Sequence, residues 1–254
     1  MSHQLGSQIE NRLTLSRAWL AVLAFAVAIP MVASAADSKP NVLMIIADDL
    51  NPSLGCYGNE TVKTPNIDRL ARRGVMMTRA YSSWASCLPS RVSLLSGLFP
   101  PSTGTYDFSP GPRDGRLKDV TYLPEHFQNQ GYFTGRLDKV FHIGRDDPQS
   151  WTVSEEPYKD PKGNFKAIWT GIEVKTLGLE GRVLKEGRYD DVTGEKGSYG
   201  IMDVIEDDLF DGRTAWRAVE LLEQQAKAGS PFFLAVGFRR PHLPWLAPKK
   251  YFDM

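Results

Sequence analysis

Apolar residues gather in short unbroken runs that alternate with periodic ones. The run NVLMIIADD, Asn41 to Asp49, is continuously apolar until two acids end it. That pattern predicts a fully buried parallel strand with charges at its carboxyl end. PFFLAVGF, beginning at Pro231, predicts a second buried strand, and Tyr132 to Leu137 and VMMTRAYS, from Val75, predict two more. Between them, TPNIDRLARRG predicts a helix with Thr64 as N-cap, Pro65 at its first position, an Ile67/Leu70/Ala71 stripe and Gly74 as stop. PSRVSLLSG predicts a helix from Pro89 to near Gly97, and TYLPEHFQNQG a short one with Leu123 and Phe127 inward. DGRTAWRAVELLEQQAKAG reads as an amphipathic helix on a Trp216/Val219/Leu222 stripe. The Pro- and Gly-rich residues 99–118 read as a loop, and 145–210 as a long irregular insertion of the kind that forms functional surface. Strands alternating with helices predict an α/β fold, a mostly parallel central sheet flanked by helices on both faces, with ligands at the carboxyl ends of its strands.

The N-terminus follows a different rule. Arg12 and Arg17 precede AWLAVLAFAVAIPMVASAA, which is too short and too proline-interrupted to span a bilayer. Ala33-Ser34-Ala35 supplies a small-x-small cleavage site. Residues 1–35 are therefore expected to be a signal peptide and 36–254 the exported protein, periplasmic or secreted, without a stable membrane anchor. Thirty basic residues balance thirty acidic ones with no Lys/Arg block, so nothing favours a nucleic-acid partner. At 254 residues and 42% apolar, the chain suits a neutral enzyme with a concave site. Two cysteines, Cys56 and Cys87, could pair after export, but two are not a disulfide framework.

Candidate chemistry clusters where strands end. Asp48 and Asp49 repel unless something cationic neutralises them, and hard divalent ions prefer carboxylate oxygens. The same pair also reads as a turn capping nearby backbone. In CLPSR, Cys87 sits at the predicted start of a helix, where N–H groups and the helix dipole favour anions, and Arg91 follows one turn on. A planar guanidinium there suits a sulfate- or phosphate-like group. The arginine is too near the cysteine for the phosphate-enclosing loop of cysteine phosphatases. A Cys/His pair of the protease type stays open but gives the Asp pair no use. Lys139/His142 and Arg240/His242 follow two further strands.

Cys87-x-Pro89-Ser90-Arg91, continuing as VSLLSG with Ser96 where threonine is usual, resembles the signature of the sulfatase family. NVLMIIADDLNPSLGCYGN, TPNIDRLARRGV, GYFTGRLDKVFHIG and PFFLAVGFRRPHLPW are similar to family segments in the same order. The resemblance implies an alkaline-phosphatase-like fold and conversion of Cys87 to Cα-formylglycine by a formylglycine-generating enzyme. It implies a hydrated aldehyde that attacks sulfur and then releases sulfate by way of its second hydroxyl. It further implies Ca²⁺ held by Asp48, Asp49 and modified Cys87. Arg91 and Lys139 would compensate charge, His142 would be the base that releases sulfate, and His242 would face the sulfate. The implied substrate is a sulfated sugar or glycan, such as a 2-sulfated uronate. A phosphoester hydrolase of the same superfamily, and an inactive fragment that binds sulfated glycans, are the alternatives. Asp138 stands where the family loop has glycine, which puts the backbone beside Lys139 in question. The family's remaining metal ligands lie in later sequence, so the chain is expected to be the N-terminal part of a catalytic domain, weakly folded or inactive unless a second chain completes it.

Overall fold

The computed structural model describes residues 39–156, 180–188 and 198–254. The signal-peptide expectation and part of the 145–210 insertion lie outside them. Asn41–Met254 form one contact unit.

A four-stranded sheet organises that unit. Its strands are β1 (Val42–Asp48), β2 (Phe133–Asp138), β3 (Val153–Glu155) and β6 (Phe232–Pro241), in the order β1-β6-β2-β3, with every pairing parallel. The central strand β6 explains why helices are needed on both sides. Side chains alternate along a strand, so Phe232, Leu234 and Val236 enter one apolar cluster while Phe233 and Ala235 enter the other. Helix α5 (Phe210–Ala228) supplies Ala218 and Leu221 to the first cluster, and α2 (Cys87–Ser96) supplies Leu88, Val92 and Leu95 to the second. Each fully buried leucine contributes roughly 2–3 kcal/mol relative to exposure. The mostly parallel sheet with helices on both faces is thus the one the sequence pattern predicts.

Several elements differ from expectation. Strand β1 is an edge strand, and Leu43 and Ile45 are 45% and 58% exposed, so its apolar run is half-buried rather than fully buried. VMMTRAYS forms no strand; it runs as irregular backbone with Val75 and Met77 largely exposed. Helix α1 (Pro65–Ala71) begins on Pro65 as expected, with Thr64 at its N-cap. Helix α2 starts at Cys87, two residues before Pro89, with Ser86 as N-cap. The 99–118 loop carries one short α-helix, α3 (Pro100–Thr103), and a 3-10 turn at Gly115–Leu117. In α4 (Leu123–Asn129) Phe127 packs on the core, stacked on Phe233 with centroids 4.7 Å apart, but Leu123 is 37% exposed and Pro124 takes the inner place. In α5 the buried face is Phe210, Thr214, Ala218 and Leu221; Trp216 and Val219 point outward and line a groove with Leu246 and Pro248. The insertion region also contributes to a second sheet that periodicity did not reveal. It consists of β4 (Val183–Arg188), β5 (Ser198–Met202) and β7 (Trp245–Pro248), with β4 antiparallel and β7 parallel to β5. No described helix is long and apolar enough to cross a membrane.

Because β1, β6 and β2 are parallel neighbours, Asp48, Pro241 and Asp138 all arrive at one edge of the sheet. Two departures from regular geometry occur there. Ala47 pairs with Phe238 but Asp48 with Pro241, so Arg239 and Arg240 bulge from β6. Gly237 sits against the chain leaving β2, where an added Cβ would lie 2.2 Å from the carbonyl carbon and oxygen of Lys139. Backbone cannot yield as a flexible side chain does. Gly237→Ala is therefore expected to lower stability by roughly 1–3 kcal/mol or more, read as a lower urea midpoint at unchanged m-value.

Candidate active site

Asp48 is the buried centre of this edge, with only 4% of its surface exposed. Arg91 Nη2 donates to Asp48 Oδ1 at 2.8 Å, and the Lys139 ammonium donates to Asp48 Oδ2. Burial by itself would push the carboxyl up, but the two cations and their hydrogen bonds outweigh it and hold Asp48 below the ordinary carboxylate range. Cys87 Sγ lies 3.9 Å from both Asp48 Oδ2 and Lys139 Nζ. Burial pushes the Cys87 thiol up, with Asp48 and Asp49 acting in the same direction and only partly opposed by Lys139 and Arg91. The site therefore suppresses thiolate, and that counts against a cysteine-protease mode of action.

Local folding explains each placement. Cys87 occupies the first turn of α2, and Ser86 makes no side-chain cap to that turn. Arg91 follows four residues on, along the same helix face, and is buried. Its Nη1 also donates to the carbonyls of Lys139 and Val140, the second at 2.9 Å, so one guanidinium holds both Asp48 and the chain after β2. The question raised by Asp138 resolves here. Its φ is 54°, the left-handed turn a glycine would have given, so the aspartate keeps the backbone and adds a carboxylate.

The remaining sequence candidates are arranged differently from the four in direct contact. Asp49 also has positive φ, 58°, and turns outward with its side chain 58% exposed. His242 Nε2 stands 3.9 Å from Asp49 Oδ2, and His242 groups with Asp48 and Cys87 so that their ligand atoms lie within 4.8 Å of one another. His142 is held by its own loop, with Nδ1 3.0 Å from the Ile143 carbonyl and its ring edge-on to Phe108. A carbonyl partner requires the proton on Nδ1, leaving Nε2 as an acceptor. Burial, then the nearby Lys139 charge, push His142 down to about 4. Both cysteines are free.

A cavity of about 610 Å³ opens over this cluster, lined by Asp48, Asp49, Cys87 and Arg91 together with Ser82, Trp84, Ser90 and Leu94. Trp84 carries no motif signal. Its indole N–H donates to the Tyr106 carbonyl at 3.0 Å, which fixes the ring on the cavity wall. Arg239, the bidentate partner of Asp138, carries no motif signal either, although a doubled arginine at the end of a buried apolar run is visible in the sequence. The donor set suits a cation in part: Asp48, Cys87 and His242 bring ligand atoms together, and Asp48 Oδ1 retains a lone pair beyond its bond from Arg91, while Asp49 offers an exposed carboxylate outside that group.

The family model for sulfatases matches residues 40–254. The chain is 37% identical over 217 residues to iduronate 2-sulfatase of Homo sapiens, an alignment covering 83% of this chain and 36% of that enzyme. It thus spans little more than a third of that relative's length. A crystal structure of a putative sulfatase from Bacteroides thetaiotaomicron is similar at a TM-score of 0.54 and 26% identity, over 81% of this chain and 36% of that one. The phosphonate monoester hydrolase of Agrobacterium radiobacter, at 24% identity, TM-score 0.54, and 83% and 43% of the two chains, shares the fold. With the CxPSR helix, the paired aspartates and the family model agreeing over most of the sequence, the chain belongs to the sulfatase family.

Proposed function

We propose that this chain carries the nucleophile side of a sulfuric-ester hydrolase site, exported by residues 1–35, acting on a sulfated sugar such as a 2-sulfated uronate. The observation that carries the reading is the convergence of Cys87, Arg91 and Lys139 on the Asp48 carboxylate at the end of β1. A raised thiol pKa amid two cations makes little sense for a thiolate nucleophile and good sense for a precursor. The sugar assignment rests on the likeness to iduronate 2-sulfatase.

Cα-formylglycine formed from Cys87 would supply a hydrated aldehyde as nucleophile, and Ca²⁺ held by Asp48, Asp49 and residue 87 would supply stabilisation of oxyanions. The chain's own groups do the rest. Arg91 and Lys139 hold positive charge beside residue 87, where an ester sulfate brings negative charge. Nε2 of His142 accepts a proton during sulfate release, while His242 donates toward the sulfate or the departing sugar oxygen. Trp84 lines the cavity and offers an aromatic face to a sugar.

Co-expression with a formylglycine-generating enzyme is expected to yield formylglycine in the tryptic peptide containing residue 87, and sulfate release from a uronate sulfate once a second chain completes the site. An unmodified cysteine there would overturn the reading, and kcat/KM higher by orders of magnitude on the matched phosphate ester would replace it with a phosphoester hydrolase. A Cys87→Ser variant is expected to accumulate covalent sulfate on residue 87, seen by intact mass, because a serine ester lacks the second hydroxyl. Added calcium is expected to raise Tm, and Asp49→Asn to weaken that shift.

His142 makes a separate prediction about pH. Its pKa falls from 6.5 to about 4 on folding, so between those values the unfolded chain binds a proton that the folded one does not. The stability it contributes is complete above about pH 6.5 and is lost as pH falls towards 4. Urea midpoints should decline over that window in the wild type and decline less in His142→Gln.

A further inference from the structure

Asp138 has two costs to meet. An L-residue in the left-handed region is strained by roughly 1–2 kcal/mol, least for Asn and Asp, and a glycine would avoid the strain. It is also a fully buried carboxylate, at 0% exposure. Arg239 answers the second cost. Its Nε donates to Asp138 Oδ2 at 2.9 Å and Oδ1 at 3.3 Å, and its Nη2 donates to Oδ1 at 3.1 Å.

Arg239 reaches Asp138 because of the bulge in β6. The N–H groups of the two bulged residues, Arg239 and Arg240, donate to the two oxygens of Asp211 in the first turn of α5, each at 2.9 Å. The guanidinium lies 4.5 Å over the Phe210 ring. The Arg239 carbonyl accepts the His242 N–H at 2.9 Å. On the other side, the Asp138 carbonyl accepts from Arg136 Nη1 and from the Val140 N–H, and Arg91 takes the carbonyls of Lys139 and Val140. The residue between those anchors is Lys139.

We propose that Asp138 and Arg239 are a positioning pair that holds Lys139 against Asp48 and Cys87 and ties it to the His242 turn. A bare left-handed turn needs only glycine; the carboxylate adds a bond across two strand ends, which joins the chain leaving β2 to the bulge of β6. This deepens the function proposed above, since Lys139 matters there as the cation beside residue 87.

The test reads Lys139 through the neighbouring thiol, so it holds whether or not residue 87 is ever matured or any sulfate released. The full chain is produced without the generating enzyme, and intact mass verifies the thiol. Iodoacetamide labelling of Cys87 is then timed at about pH 8 against Cys56 in the same molecule. Lys139→Met sets the scale, with Cys87 about three- to tenfold slower relative to Cys56 as the thiolate fraction falls. Arg239→Met and Asp138→Asn are expected to slow Cys87 in the same direction. Arg239→Lys should recover part of the rate, and Asp138→Asn should add nothing to Lys139→Met. If Asp138→Asn and Arg239→Met lower Tm while the Cys87-to-Cys56 ratio stays at the wild-type value, or additively slow the Lys139→Met protein, the positioning role is wrong. Should Arg239→Met fail to fold, Arg239→Lys and Asp138→Gly carry the comparison, and a wild-type ratio in both overturns the proposal.

Discussion

A single buried carboxylate organises this end of the molecule. Taking Asp48 out of water costs several kcal/mol for the ion alone, and Arg91 and Lys139 must leave water with it. The arrangement is tenable because each Asp48 oxygen receives a charge-assisted bond and Arg91 spends its other nitrogen on the backbone after β2. None of the three residues is near another in sequence. They meet because β1 and β2 run parallel on either side of β6 and because α2 crosses one face with its N-terminus at the same edge. The hydrophobic alternation of β6 thus has an electrostatic consequence, since it fixes where two cations and an anion can cancel.

Partial burial, then the charges around them, tunes the neighbours in opposite directions. Half-buried Cys87 lies beside two aspartates and is kept as a thiol, while half-buried His142 lies near Lys139 and is kept neutral. A thiol-based nucleophile would require the reverse: a cysteine driven toward thiolate by a protonated histidine. Under the proposed function both settings are useful, because maturation starts from a thiol and a neutral imidazole can accept a proton.

Much of this was legible in residue order, and the illegible parts share a cause. Strand β6, helix α1 and the CxPSR helix are written in local signals, an unbroken apolar run or a proline at a helix start. Asp48, Lys139 and His242 were legible because they end or follow strands that local signals identify, and Cys87 and Arg91 because they lie on the CxPSR helix. Burial was less so. A strand such as β1 reads as fully buried whether it lies at the centre or the edge, since its own residues do not say what flanks them. In α5, Trp216/Val219 and Ala218/Leu221 are both apolar and helically spaced, and only the partner strand decides which pair turns inward. The small β4-β5-β7 sheet depends on pairing a segment near residue 200 with one near 246, which no local pattern encodes. Arg239 and Asp138 illustrate the same limit, because a long-range ion pair is invisible until a bulge in one strand aims it at the end of another.

Two aspartates with positive φ close β1 and β2, and the contrast between them bears on how such an edge could work. Asp138 is fully buried, held by Arg239 on its side chain and by Arg136 and Val140 on its carbonyl. Asp49 bends its chain in the same left-handed sense but leaves its carboxylate exposed, 3.9 Å from His242. The same sign of φ therefore accompanies one locked carboxylate and one exposed carboxylate. Under the proposed function, a site that holds Lys139 rigidly beside residue 87 while leaving an exposed oxygen ligand for a metal would use both kinds. Locking Asp49 as Asp138 is locked would demand a second buried arginine, whose charge would compete with any cation for the same oxygens.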